Sequence, residues 1–243
     1  MNPNKRAVLE CKNLSKEIKK PFSQKKIKII DKISLSIPEG SLSIILGHNG
    51  AGKSTLIKSI MGFKMPDDGE IYFNGKPLQT KDRAHIGYMP ESEALPMKLT
   101  PLESLNFHAR VHGYLSGSST TMELLEKVGL KRHQNKLNRD LSKGMGRRLA
   151  WALATLHSPT LLILDEPYSG LDPIGRVDMT SWIKELNHKG TTILVCTHEL
   201  DRIPDYTDEI YILNQGKLVF QCSQPIPETD ALLQHLKPVS EGH

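Results

Sequence analysis

Three short stretches hold residue types suited to phosphate chemistry. The first is GHNGAGKST at residues 47–55, set directly behind the apolar run SIIL. Gly47, Gly50 and Gly52, with His48, Asn49 and Ala51 between them, let the backbone curl until successive N–H groups face one anion. Lys53 then reaches the β- and γ-phosphate oxygens of a nucleotide, and the Ser54 hydroxyl, followed by Thr55, suits Mg²⁺. The second stretch, LLILDEPYSGLDP at 161–173, ends an apolar run with Asp165 and Glu166. Neighbouring side chains of a strand point to opposite sides, so the two acids can take separate tasks. Asp165 suits a Mg²⁺ shell, and Glu166 suits the activation of a water. The third, LSKGM at 141–145, precedes a strongly helical segment. It sets Ser142 and the Gly144 amide at a helix N-terminus, a second anion site. One chain needs a single phosphate loop, so the spare site predicts that two chains meet and complete each other's pocket. His198 follows the apolar run TILVC and is placed to hydrogen-bond a γ-phosphate.

These residues need a frame that brings strand ends together. SIIL (43–46), LLIL (161–164) and TILVC (192–196) are continuous apolar runs with the look of strands buried on both faces of a parallel sheet. Helical segments lie between them, so the fold class is α/β, with ligands expected beyond the carboxyl ends of the strands. Residues 7–42 and 70–78 instead alternate apolar and polar residues, which predicts an antiparallel β layer, with Asn74-Gly75 as a turn. Residues 92–140 read as mostly helical. TPLE at 100–103 supplies an N-cap, a proline at the first helical position and a capping box, and Gly113 is a stop. MELLEKV forms a second short helix ending at Gly129, and EIYILNQGKLVF a final hairpin. The expected organisation is a nucleotide-binding core over 1–224, with a small helical subdomain inserted at about 92–158 and a tail at 225–243.

Composition narrows the function classes. The chain has 243 residues, 38% hydrophobic and 24% charged, which suits a soluble α/β protein with a sizeable core. No apolar run reaches bilayer-spanning length, and MNPNKRAVLECK holds no apolar leader segment, so a cytoplasmic setting is expected. Cys11, Cys196 and Cys222 lack metal-ligand spacing, and their odd number argues against a disulfide framework. Part of the net charge of +5 lies in Lys16, Lys19, Lys20, Lys25, Lys26 and Lys28. No aromatic residues interleave as stacking platforms, so this run is read as a solvated loop between strands, with no nucleic-acid partner expected. His108 and His112 stand four apart on a predicted helix, the spacing of a zinc pair. Ala109 occupies the place of a catalytic glutamate and no third ligand is evident, so a plain solvated face is expected.

Taken together, the motifs resemble the ATP-binding subunit of an ABC transporter over roughly residues 7–220. GHNGAGKS resembles the family's Walker A loop, LSKGM its signature motif, LLILDEP its Walker B strand, SGLD its D-loop and His198 its switch histidine. The resemblance implies a P-loop NTPase core of mostly parallel sheet with an antiparallel β layer and an inserted helical subdomain. It implies ATP and Mg²⁺ as cofactors, catalysis by Glu166, His198 and Lys53, and a head-to-tail dimer. Ser142 and Gly144 then bind the γ-phosphate held by the other chain's Lys53, and Ser169 to Asp172 line the seam. A separate transmembrane permease is the implied partner, which puts the chain at the cytoplasmic face of the inner membrane. Several positions depart from the family pattern. Glu91 stands where the family has the glutamine that follows Tyr-x-Pro, and is the expected third Mg²⁺ ligand beside Ser54 and Asp165. Lys143 and Met145 replace a glycine and the glutamine of the signature, and Ile18 occupies the place of the adenine-stacking aromatic, with Phe22 as an alternative. The combination of YMPE, LSKGM and GLDPI is similar to exporter-type ATPases of drug, polysaccharide, haem and copper-processing systems, the last in its manner of GHNGAGK and SKGM.

Two other functions compete. A soluble ATPase of the same family acting on ribosomes or DNA draws support only from the basic run. The DNA-repair members also part the phosphate loop from the signature with a long coiled coil, whereas 89 positions without sustained heptads separate Lys53 from Ser142 here. A scaffold that binds nucleotide without turnover is disfavoured by Glu166, a carboxylate base where hydrolysis needs one.

Overall fold

The computed structural model describes residues 6–19, 26–92, 95–113, 119–200 and 205–236. The chain forms two compact units, one from residues 1–83 and 192–243 and the other from 84–191.

In the first unit, strand β1 (Ala7–Lys19) pairs antiparallel with β2 (Lys26–Pro38) and with β4 (Asp68–Phe73), and β4 pairs with the short β5 (Lys76–Pro77). This is the expected antiparallel layer, in the order β2-β1-β4-β5. Its buried positions include Val8, Leu9, Cys11, Leu14, Ile30, Ile33, Leu35 and Ile37. The strands run further than the sequence suggests. Lys16, Lys19, Lys26 and Lys28 lie on β1 and β2 rather than in a loop, and Lys20 and Lys25 fall outside the described residues. Cross-strand pairing explains the difference: Glu17 lies opposite Lys28, and Lys16 and Lys26 form ion pairs with Asp67 and Glu17 at 2.9 and 3.4 Å. The run is charge-balanced locally, which lets basic residues continue a ladder.

The parallel part of this unit is centred on β3 (Leu42–Leu46), flanked in register by β8 (Thr192–Thr197) on one side and β9 (Glu209–Asn214) on the other. Every residue of these three strands is buried, as their apolar runs require. Helix α1 (Lys53–Ile60) leaves β3 through the glycine-rich loop. The expected hairpin forms between β9 and β10 (Lys217–Ser223). The Tyr211 hydroxyl donates to the Ser36 carbonyl, pinning the antiparallel layer to β9. The tail carries a helix, α6 (Thr229–Leu236), which buries Leu232 and stacks His235 on Phe220.

The second unit holds a parallel pair, β6 (Ile86–Met89) and β7 (Leu161–Asp165), with four helices: α2 (Pro101–Val111), α3 (Ser119–Lys127), α4 (Lys143–Thr155) and α5 (Pro173–His188). Helix α2 starts as the sequence predicts. The Thr100 hydroxyl accepts from Glu103 N at 3.2 Å and the Glu103 carboxylate accepts from Thr100 N at 2.8 Å. Such a reciprocal cap contributes about 1 kcal/mol. Gly113 and Gly129 follow α2 and α3 with φ of 78° and 72°, the left-handed turn that ends a helix. Helices α4 and α5 meet through Trp151 and Trp182, with Arg148 over the Trp182 ring and paired with Asp178 at 2.6 Å.

Candidate functional site

The phosphate loop is built by the first unit alone. The β3 ladder ends with Leu46 opposite Thr197, and the next amide, Gly47 N, donates to the Thr197 carbonyl at 3.2 Å. The loop then turns back on itself, with Ala51 N donating to His48 O at 3.1 Å. Its floor is the β2 backbone and the β9–β10 turn, since Gly216 N donates to Ala51 O and Asp31 N to Gly216 O. Two glycines are obligatory for steric reasons. A Cβ on Gly47 would lie 2.6 Å from the Leu213 carbonyl, and one on Gly52, at φ 107°, would lie 2.8 Å from the Ile29 carbonyl.

Gly52 is also the N-cap of α1, and no side chain caps this end. A helix start without a side-chain cap, with the positive end of its dipole, suits an anion. Lys53 is buried at 6% exposure and folds over the loop, its Nζ donating to the carbonyls of Gly47 and His48. Ser54 and Thr55 follow it, half-buried. His48, Asn49 and Gly50 form the exposed rim. The His48 ring is fixed by Asn214 at the end of β9, Nε2 to Oδ1 at 3.0 Å, a support that the loop sequence alone does not reveal. His198 emerges exposed immediately after β8, whose last carbonyl holds Gly47. Strand pairing therefore brings His198 to the mouth of the phosphate loop. Ile18 is 40% exposed on β1, and Phe22 lies outside the described residues.

The second unit assembles the acidic pair, the signature and the Glu91 segment. Asp165 closes β7 at 2% exposure, and Glu166 follows at 7% with φ 48°. A left-handed glutamate is unusual and costs about 1 kcal/mol or more, and it turns the chain sharply at the strand tip. Ser142 caps α4, its hydroxyl accepting from Met145 N at 3.2 Å. Gly144 lies beside the Gly170 carbonyl and Leu171, while Lys143 drapes its aliphatic stem over Gly170. The signature thus sits on the Ser169–Asp172 turn, and Asp172 caps α5 by accepting from Gly175 N at 2.7 Å. Glu91 lies just beyond β6 with an exposed side chain.

Sequence reasoning missed the residue that ties these parts together. Arg147, on α4, is fully buried. Its Nη1 donates to the carbonyls of Pro90 and Glu91 at 2.5 and 3.0 Å, and its Nη2 to those of Asp165 and Glu166 at 3.2 and 2.7 Å. One guanidinium fork therefore fixes the Glu91 segment and the acidic strand tip to the signature helix. The signal was present in the sequence. Arg147 shares a helical stripe with Ala150, Trp151 and Ala154, all buried, and a charge on such a stripe must be satisfied internally.

A glycine cradle between a buried strand and an uncapped helix, with a folded-in lysine, defines a P-loop nucleotide-binding protein. Residues 30–169 match the family described as ABC transporter. The bacitracin transport ATP-binding protein BcrA of Enterococcus faecalis is 36% identical over 218 residues, covering 87% of this chain and 68% of that protein. The lantibiotic transport ATP-binding protein SrtF of Streptococcus pyogenes is 33% identical over 214 residues, covering 88% and 90%. Among solved structures, a dimeric ATP-binding cassette in a post-hydrolysis state bound to ADP and Pi gives a TM-score of 0.83 at 27% identity, covering 90% of this chain and all of that one. An ATP-binding subunit of an ABC transporter gives 0.81 at 30% identity, covering 94% and 99%. The chain belongs to the ABC transporter family, as an ATP-binding and ATP-hydrolysing subunit.

Proposed function

We propose that this chain powers a separate membrane permease, as one of two ATPase chains that close head to tail on ATP, and that the transport is export. The cradle of residues 47–54 carries the reading, because its glycines, open helix end and Lys53 all serve one polyanion. Dimer formation draws support from the dimeric cassette with which this fold superimposes. Among the described residues no helix is long and apolar enough to cross a membrane, in keeping with a subunit that docks on a permease from the cytoplasmic face.

In this reading the amides of Gly47 to Thr55 bind the phosphates, and Lys53 leaves its own loop carbonyls for the β- and γ-oxygens. Ser54, Asp165 and Glu91 each offer an oxygen donor, the type that Mg²⁺ takes. When bound, that ion neutralises charge on the triphosphate. Glu166 takes a proton from the attacking water, and His198 hydrogen-bonds the γ-phosphate. Ser142 and Gly144 act on the nucleotide held by the partner chain, where the α4 N-terminus adds favourable dipole. The Ser142 hydroxyl, which accepts from Met145 N, keeps its own proton to donate. Arg147 is a positioning residue that holds the tips carrying Glu91 and Glu166 in one arrangement.

The deciding experiment is Glu166→Gln. Loss of steady-state ATP hydrolysis by at least ~100-fold, with ATP affinity kept and an ATP-dependent dimer seen by light scattering, is expected. A variant that still hydrolyses ATP at the parental rate overturns the assignment of the base.

A further inference from the structure

The second unit contains a group of imidazoles that the nucleotide chemistry does not use. His108 lies on α2, His112 is its C-cap one turn later, and His157 follows the end of α4 in the turn leading to β7. The solvated face expected for the first two is not what the fold makes. His108 and His112 are half-buried, His157 is 9% exposed, and one ring nitrogen from each lies within 4.8 Å of the others. The rings of His112 and His157 stack at 4.1 Å, and that of His108 sits 4.6 Å from His112 and 5.7 Å from His157. The buried Nε2 of His108 has no hydrogen-bond partner among the described residues.

We propose that His108, His112 and His157 form a binding site for one divalent first-row transition ion of the Zn²⁺ class, which clips the end of α2 to the turn before β7. Three imidazoles with a fourth position open to water form a common zinc donor set. In a tetrahedral site with bonds of ~2.0–2.1 Å the nitrogens stand ~3.3–3.4 Å apart. The present separations, all within 4.8 Å, exceed that by at most about 1.5 Å. A shared ion would give the partnerless Nε2 of His108 a ligand that ring stacking does not supply. Burial, followed by the two neighbouring rings, holds His157 down at about 4, and burial also lowers His108 and His112. All three therefore offer neutral lone pairs near pH 7, the form that binds a metal. The donor set is nitrogen alone, which favours Zn²⁺ or its neighbours over the Mg²⁺ that an oxygen site takes. This inference is independent of the nucleotide site.

The test uses the full chain without nucleotide, in excess Mg²⁺ to fill oxygen sites, titrated with Co²⁺ and with Zn²⁺. One ion per chain is expected, with visible cobalt bands of a four-coordinate nitrogen/oxygen site. Zn²⁺ at a hundredfold excess over Kd should raise the unfolding midpoint by roughly 5–10 °C. His108→Gln, His112→Gln and His157→Gln should each weaken binding at least about tenfold, whereas the exposed His133→Gln and the thiol variant Cys222→Ser should leave it unchanged. X-ray absorption of the unmutated zinc-loaded protein, expected to show three imidazole ligands, keeps the test valid should a variant fold poorly. Absence of stoichiometric binding, binding untouched by the three substitutions, or a sulfur ligand in the absorption spectrum overturns the proposal.

Discussion

Replacing Arg147 by lysine tests whether the guanidinium fork positions the catalytic segments or merely fills the core. The arginine makes four hydrogen bonds to carbonyls, two to Pro90 and Glu91 and two to Asp165 and Glu166. A lysine keeps the charge but offers one ammonium at the end of a narrower reach, and so serves one carbonyl pair and abandons the other. Two charge-assisted bonds are then lost at about 1.5 kcal/mol each, or about 3 kcal/mol together. With a urea slope of about 2–3 kcal/mol per molar, the unfolding midpoint of the second unit should fall by about 1–1.5 M. The rate consequence is separate. Releasing Glu91 from Glu166 lets the base wander from the reacting water, and a misplacement that costs only 1.4 kcal/mol in the transition state slows turnover tenfold. ATPase assays at a temperature where circular dichroism shows the variant fully folded should give a kcat at least about tenfold lower. The ATP dissociation constant should change less than kcat, because Arg147 does not touch the phosphate loop. A folded Arg147→Lys protein with a parental kcat, or one that loses ATP affinity and kcat in equal measure, refutes the positioning argument.

Lys53→Ala should weaken ATP binding by at least about tenfold in calorimetry, since a charge-assisted contact to phosphate carries about 1.5–3 kcal/mol, and unchanged affinity would remove the cradle reading. Mixed dimers of Lys53→Ala with Ser142→Arg chains should retain one intact composite site and about half the parental turnover, and a dimer with both sites dead counts against action in trans. Acid stability should carry a contribution from Glu185, which Lys127 and then Lys189 hold down at about 2, below its ordinary 4.5. Its folded-state value is depressed, so the contribution is present above about pH 4.5 and is lost as the pH falls towards 2. Glu185 and both lysines are at least about a third exposed, so the effect stays under about 1 kcal/mol. Glu185→Gln should flatten that part of the urea-midpoint profile between pH 4.5 and 2, and an unaltered slope would show that the pairs contribute nothing.

The sequence by itself determined the parts whose chemistry is local. The glycine spacing of 47–52, the lysine after it, the carboxylates ending an apolar run and the Thr100-Pro101-Glu103 start of α2 are each set by backbone sterics or by neighbours within a few positions. Such features survive in a linear reading because the forces that fix them act over one turn of chain. Strands β3, β7 and β8 were legible for the same reason, as continuous apolar runs. Strand β6 was not, because its four residues include Gly87, which is explained only by the Ala154 carbonyl that a Cβ there would meet at 2.2 Å.

Tertiary structure decided what depends on residues far apart in sequence. It extended β1 and β2 through the basic run by placing Asp67 and Glu17 against the lysines. It set β9 parallel to β3, so that Asn214 reaches His48, and it led His198 to the phosphate loop through the Thr197 carbonyl. It buried Arg147 among four carbonyls from two segments, and it brought His157 to a pair of histidines 45 and 49 positions earlier. A hydrogen bond or a shared ligand is indifferent to sequence separation. The loop-closure cost of bringing such groups together is met by burial of the whole core, and no local pattern in the chain records it.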